Sequence, residues 1–129
     1  MPDGNGTMRL ESGAYEGAYS FRSRFEDGAG SNPEELIAAA HAGCYSMALS
    51  NVLDDAGFEP ESVNTNAEVT LRMLEDGPAI TKVKLTTTAR VPDIDDATFQ
   101  EHANAAKDGC PVSKVLAGTE ITVDATLEG

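Results

Sequence analysis

The residue order of this 129-residue chain predicts an α+β domain, and three features predict it. A stretch from Asn32 to Gly57 carries almost no charge between Glu35 and Asp54, as a helix central to a core would. Two alternating runs, 65–75 and 79–91, flank the turn residues Glu75-Asp76-Gly77-Pro78, as the arms of a hairpin would. A last alternation at Ile121, Val123, Ala125 and Leu127 reads as one more strand. The length suits a single domain over 1–129 that builds a core without staples.

Taken in chain order, residues 7–26 alternate loosely, with Tyr19, Phe21 and Phe25 set against Arg22 and Arg24. They predict one or two strands that end at the turn Asp27-Gly28-Ala29-Gly30. The long helix starts with Asn32 as N-cap, Pro33 at the first helical position and Glu35 completing a capping box. It should run to about Ala56 and stop at Gly57 in the left-handed cap position. After the hairpin, a second helix over 96–108 ends at Gly109, and Pro111 starts a further short helical turn.

Acidic residues outnumber basic ones by 22 to 9, giving a net charge of -13. That field repels phosphate backbones and anionic headgroups, which argues against nucleic-acid and membrane-surface binding. It suits either a well-solvated surface or a saline cytoplasm. No apolar stretch is expected to reach the roughly 20 residues that span a bilayer. The segment Met1-Pro2-Asp3-Gly4-Asn5-Gly6 lacks the basic and apolar regions of a signal peptide, so residence in the cytoplasm is expected. Thiols are kept reduced there, and a disulfide would be transient.

Two cysteines stand 66 positions apart, Cys44 inside the long helix and Cys110 in the turn Gly109-Cys110-Pro111-Val112-Ser113. They are either a long-range redox pair or two inert buried thiols. Cys44 at mid-helix gains nothing from the helix dipole, and burial would raise its pKa. As a nucleophile it needs a cation through space; Arg22 and Arg24 lie just before the turn leading into its helix. Either could equally be a surface charge on an edge strand. Glu34 precedes Cys44 by ten residues, about 15 Å of helical rise, too far to share one guanidinium with it. Either the helix breaks near Gly43, or Glu34 serves the cysteine of a partner subunit, or it simply complements the helix dipole. His41 lies three residues before Cys44 on the same helical face, and with His102 and Cys110 would complete a zinc set of unusual spacing. A packed histidine on an apolar helix is the alternative.

At these residues the chain resembles the OsmC/Ohr family of thiol-dependent organic hydroperoxide reductases. The matching stretches are Arg24-Phe25-Glu26, the run from Asn32 through His41-Ala42-Gly43-Cys44, and Gly109-Cys110-Pro111-Val112-Ser113. Asp55-Ala56-Gly57-Phe58 and Ile80-Thr81-Lys82 extend the likeness from about residue 20 to the end. His41 and Cys110-Pro111-Val112-Ser113 resemble the OsmC branch rather than Ohr. The resemblance implies curved antiparallel sheets wrapped around long central helices in an intertwined homodimer, with two active sites at the subunit interface. Cys44 would be the peroxidatic thiolate, Cys110 the resolving thiol, Arg24 the arginine holding the thiolate, and Glu34 the carboxylate orienting that arginine. Arg22 is not at the matching position. Family members usually begin with an extra strand before the segment equivalent to Met8–Glu11, which this chain is expected to lack: either Met1 is not the natural start, or the first sheet is shorter.

The implied partners are an organic hydroperoxide and an external dithiol reductant, a lipoyl protein being one candidate. No flavin, haem or metal is implied. Phe25, Tyr45 and Met47 are offered as apolar walls that would favour organic hydroperoxides over hydrogen peroxide. Two other classes stay open at this point: a dimer binding a hydrophobic ligand without redox chemistry, and a structural zinc domain using Cys44, Cys110, His41 and His102.

Overall fold

The computed structural model describes residues 3–26 and 28–128. They divide into two compact units, Met1–Ile37 and Ala38–Gly129. The first unit opens with strands β1 (Asn5–Arg9) and β2 (Glu16–Ser20), paired antiparallel. A five-residue helix follows, α1 (Phe21–Phe25), where the sequence suggested a strand. The cause lies at Ser20 and Ser23, each of whose side chains bonds the backbone N–H of the other in a capping box. Phe21 and Phe25, four residues apart, then meet with ring centroids at 4.9 Å. Arg22 and Arg24 therefore sit on a helix and not on a strand. Asp27 of the expected turn lies outside the described residues.

Helix α2 (Pro33–Asp55) starts where expected, with Asn32 Oδ1 accepting the N–H of Glu35 at 2.8 Å. The reciprocal half of the expected capping box is replaced: the Glu35 carboxylate takes the Ser31 hydroxyl at 3.1 Å. The helix continues unbroken through Gly43, so the suggested break there does not occur. It closes as predicted at Gly57, whose φ of +92° lets the N–H groups of Gly57 and Phe58 reach the carbonyls of Asp54 and Leu53. At 23 residues α2 is, contrary to expectation, long and apolar enough to cross a membrane by length and composition alone. Nor is it buried all round. His41, Tyr45, Leu49 and Leu53, spaced by four, are fully buried, while Ala39, Gly43, Met47 and Asn51 on the opposite side are exposed.

In the second unit, β3 (Ser62–Leu74) and β4 (Gly77–Arg90) form the expected hairpin around Glu75 and Asp76. After it come α3 (Asp96–Gly109), capped by the Asp95 carboxylate on the Thr98 N–H, and α4 (Pro111–Val115) with proline in its first turn. The last strand, β5 (Glu120–Glu128), lies beside β4 and parallel to it, so the sheet runs β3-β4-β5 and is mixed, not purely antiparallel. Its direction follows from the connection. Parallel strands need a crossover connection, and the segment through α3 and α4 supplies it. The inward side chains of β4 (Val83, Leu85, Thr87 and Ala89) are buried, while Lys84 and Thr86 between them and Arg90 after them are exposed. Val83, Leu85 and Ala89 form one core with Tyr45, Leu49, Leu53, Phe99 and Ala106, and Thr87 is buried beside them on the same face of β4. The Thr87 hydroxyl is bonded to the Asn64 carbonyl at 3.2 Å and to Thr65 at 3.0 Å, so it is not left unpaired.

Candidate active site

The second unit brings the two cysteines together. Cys44 comes from the middle of α2, and Cys110 from the single residue between α3 and α4. Their sulfurs stand 2.9 Å apart as free thiols. A disulfide at about 2.05 Å is thus within a small side-chain movement. Cys110 is fully buried and Cys44 partly exposed, so a solute meets Cys44 first.

Their electrostatic settings differ. Burial pushes the Cys110 thiol up, but hydrogen bonds outweigh it and its pKa falls below the ordinary thiol value. The sulfur of Cys44 lies 2.9 Å from it. For Cys44 burial again acts upward, and so do the Cys110 contact and its charge, against a single N–H from Val112. Its pKa is raised. Either sulfur can donate in the contact. An activated Cys44 needs a cation that these neighbours do not provide.

Next to Cys110, His41 Nε2 lies 2.8 Å from Ser113 Oγ, with both residues buried. His41 Nδ1 has no hydrogen-bond partner among the described residues, and burial lowers the pKa of the ring. The sequence placed His41 on the face of Cys44, yet nothing local signals that its partner is Ser113, 72 residues away. Tyr45 is also next to Cys110; the surrounding burial and the Cys110 charge push its pKa up, and its hydroxyl donates to the Ala103 carbonyl at 2.9 Å. Being fully buried, Tyr45 belongs to the core and is not the apolar cleft wall suggested for it. Met47 and Phe25 are exposed. His102 stands edge-on to Phe58 at 6.3 Å, and among the described residues no group of three or more His, Cys, Asp or Glu could hold a metal. The zinc set finds no support there.

The first unit holds the other two candidates. Arg24 Nε and Nη2 donate to Glu34 Oε1 and Oε2 at 2.8 and 3.1 Å, a two-point pair within one chain. The loop between them is folded by local bonds. Ser23 Oγ donates to the Ser31 carbonyl at 2.7 Å, and Asn32 Nδ2 to the Ser23 carbonyl at 2.9 Å. Glu34 is buried, while a third of the Arg24 side chain stays exposed. The guanidinium also lies 5.4 Å from the Phe25 ring centroid. Among the described residues Arg22 makes no such pair; it borders a surface hollow with Asp3, Asn5 and Ser20.

Known proteins share both the sequence and the fold. The family of OsmC-like proteins matches residues 26–126. The "Peroxiredoxin OsmC" of Escherichia coli (strain K12) is 51% identical over 126 residues, spanning 97% of this chain and 87% of that protein. The "Organic hydroperoxide resistance protein OhrB" of Bacillus subtilis (strain 168) is 35% identical over 77% of this chain and 69% of its own length. The crystal structure of OhrB superposes with a TM-score of 0.75 at 28% identity, covering 95% of this chain and 90% of that one. The OsmC-like protein of Mycoplasma pneumoniae shares the fold at 14% identity, with a TM-score of 0.72 over 98% of this chain and 97% of that one. On the extent of these matches, this chain belongs to the OsmC/Ohr family and to its OsmC branch.

Proposed function

We propose that this protein is a thiol-dependent peroxidase that reduces organic hydroperoxides to alcohols, with Cys44 as peroxidatic and Cys110 as resolving residue. The observation that carries the reading is the 2.9 Å approach of two free thiols from residues 66 apart, one partly open and one buried. Cys44 thiolate attacks the outer peroxide oxygen, the O–O bond breaks, and the alkoxide leaves with a proton as alcohol. Cys44 is then a sulfenic acid. Cys110 thiolate attacks its sulfur, the S–O bond breaks, and hydroxide leaves with a proton as water. An external dithiol reduces the disulfide by exchange, a lipoyl protein being one such reductant.

The missing cation is Arg24. An arginine stays charged when desolvated, and the two-point bond from Glu34 fixes its plane. The working form is a homodimer of single-domain protomers in the cytoplasm. The exposed side of α2 with Ala39, Gly43 and Met47 supports this, since an apolar helix face is stable only when covered. The Escherichia coli relative is named a peroxiredoxin and the Bacillus subtilis relative an organic hydroperoxide resistance protein, and both names favour peroxide chemistry over passive ligand binding.

One sample tests activity and assembly together. By light scattering the protein should have about twice the 13.5 kDa mass of one chain, and it should consume cumene hydroperoxide faster than hydrogen peroxide with dithiothreitol as reductant. A stable, active monomer would remove the dimer. A dimer that leaves both peroxides untouched would remove the peroxidase and favour a ligand-binding protein.

A further inference from the structure

His41 and Ser113 take no part in the chemistry just described, yet they hold matching places around it. His41 lies three residues before Cys44 on the same face of α2, and Ser113 lies three residues after Cys110 in α4. Their side chains share a buried hydrogen bond of 2.8 Å between Nε2 and Oγ. We infer that this bond is the clamp that holds Cys110 against Cys44, so that the sulfenic acid is resolved before a second peroxide reaches it. His41 and Ser113 are positioning residues in this arrangement. The inference deepens the peroxidase reading and rests on its assignment of Cys44 and Cys110 as a redox couple.

Cys110 is the single residue joining α3 to α4, and both helices hold its backbone. Its N–H donates to the Ala106 carbonyl at 2.9 Å, and its carbonyl accepts the Lys114 N–H at 3.1 Å. Its sulfur therefore stays 2.9 Å from that of Cys44 only while α3 and α4 both stay fixed to α2. Helix α3 is anchored by the burial of Phe99, Ala103 and Ala106, and by the Tyr45 hydroxyl on the Ala103 carbonyl at 2.9 Å. Helix α4 has no such anchorage. Of its five residues only Ser113 is buried, while Pro111, Lys114 and Val115 are exposed. A short segment with so little buried apolar surface opens easily unless a specific bond holds it, and the bond here is to His41.

His41 is as constrained as its partner. The ring is fully buried, and Nε2 is its bonded nitrogen, since Nδ1 has no hydrogen-bond partner among the described residues. Releasing Ser113 would leave a buried imidazole with neither nitrogen satisfied, so the clamp resists opening whichever atom carries the proton. Its effect is orientation. Two thiols held at contact distance react at an effective concentration that a loose turn does not reach. The clamp moves no proton in the resolving step, and the attack of Cys44 on peroxide does not need it.

The test compares wild type with protein carrying both His41→Leu and Ser113→Ala. Replacing both partners by apolar side chains leaves no orphaned polar group, so the fold should keep its stability. In dithiothreitol redox buffers the effective concentration of the Cys44–Cys110 pair should fall about tenfold, which makes the disulfide potential about 30 mV less negative. The first equivalent of cumene hydroperoxide should be consumed at the wild-type rate. Sulfinic acid at Cys44 should then appear at about a tenth of the peroxide concentration that wild type needs. His41→Gln, which places an amide near the Nε2 position, should bring the potential and the over-oxidation threshold back toward wild type. A folded double variant with the wild-type potential and threshold would overturn the inference. So would a first step slowed as much as the second, which marks general damage to the site. If the double variant does not fold, amide hydrogen exchange of the native protein decides. Lys114 and Leu116 N–H groups as protected as that of Cys110 support a clamped α4, and free exchange at both overturns it. A wild-type protein that reduces no peroxide would remove the peroxidase reading and still leave the potentials readable, because the dithiothreitol buffers need no peroxide.

Discussion

Arg24→Ala should lower peroxide turnover by about two orders of magnitude and move the Cys44 alkylation midpoint above the ordinary thiol range. Without the guanidinium, Cys44 keeps only what its own neighbours impose, and burial and Cys110 both push its pKa up. A tenfold change in acidity corresponds to about 1.4 kcal/mol of thiolate stabilisation, and an opposite charge at contact distance lowers a pKa by about one to three. Glu34→Gln should do less, because it loosens the guanidinium without removing its charge. Arg24→Lys should recover only part of the activity, since an ammonium cannot hold carboxylate and thiolate in one plane. The measurement is a pH series of iodoacetamide alkylation at Cys44 in each variant, with Arg22→Ala as the control. A midpoint that moves in Arg22→Ala and not in Arg24→Ala would assign activation to the other arginine.

Cys110→Ser should stop the cycle after one event. The first equivalent of peroxide is still consumed, because attack on the O–O bond needs only Cys44. The sulfenic acid then has no thiol at 2.9 Å to condense with and moves up the oxidation ladder. Intact mass should show sulfinic or sulfonic acid at Cys44 and no internal disulfide. Sustained turnover at the wild-type rate with dithiothreitol would take Cys110 out of the mechanism.

Much of the framework that carries this site is written locally. Asn32, Pro33 and Gly57 bound α2, Glu75 and Asp76 mark the hairpin, and Asp95 and Gly109 bound α3; each acts through a cap or turn within a few residues. Where two patterns compete locally, alternation misleads. Phe21-Arg22-Ser23-Arg24-Phe25 alternates like a strand, but the Ser20–Ser23 capping box makes it a helix. That helix is what turns Arg24 toward Glu34 of its own chain.

Non-local features were not legible. The parallel pairing of β5 with β4 depends on the path through α3 and α4, and period two does not encode strand direction. His41 and Ser113 meet across 72 positions, and only the fold joins them. The charge-free stretch of α2 suggested burial on every side, whereas one protomer covers only the stripe through His41, Tyr45, Leu49 and Leu53. Tyr45 shows the same limit. Its neighbour in sequence is the reactive cysteine, but a helix step of about 100° sends it into the core. The cysteine pair itself became readable through family resemblance, because spacing alone allowed inert thiols as well as a redox couple.

Central to this mechanism is the conversion, by one peroxide molecule, of the two thiols of one chain into a single disulfide. Free thiols should be counted before and after one equivalent of cumene hydroperoxide per chain, followed by peptide mapping without reduction. The expected result is the loss of both thiols, a Cys44–Cys110 linked peptide, and recovery of both thiols with dithiothreitol. Two thiols still free after the peroxide, or a disulfide joining Cys44 of one chain to Cys44 of another, would contradict it.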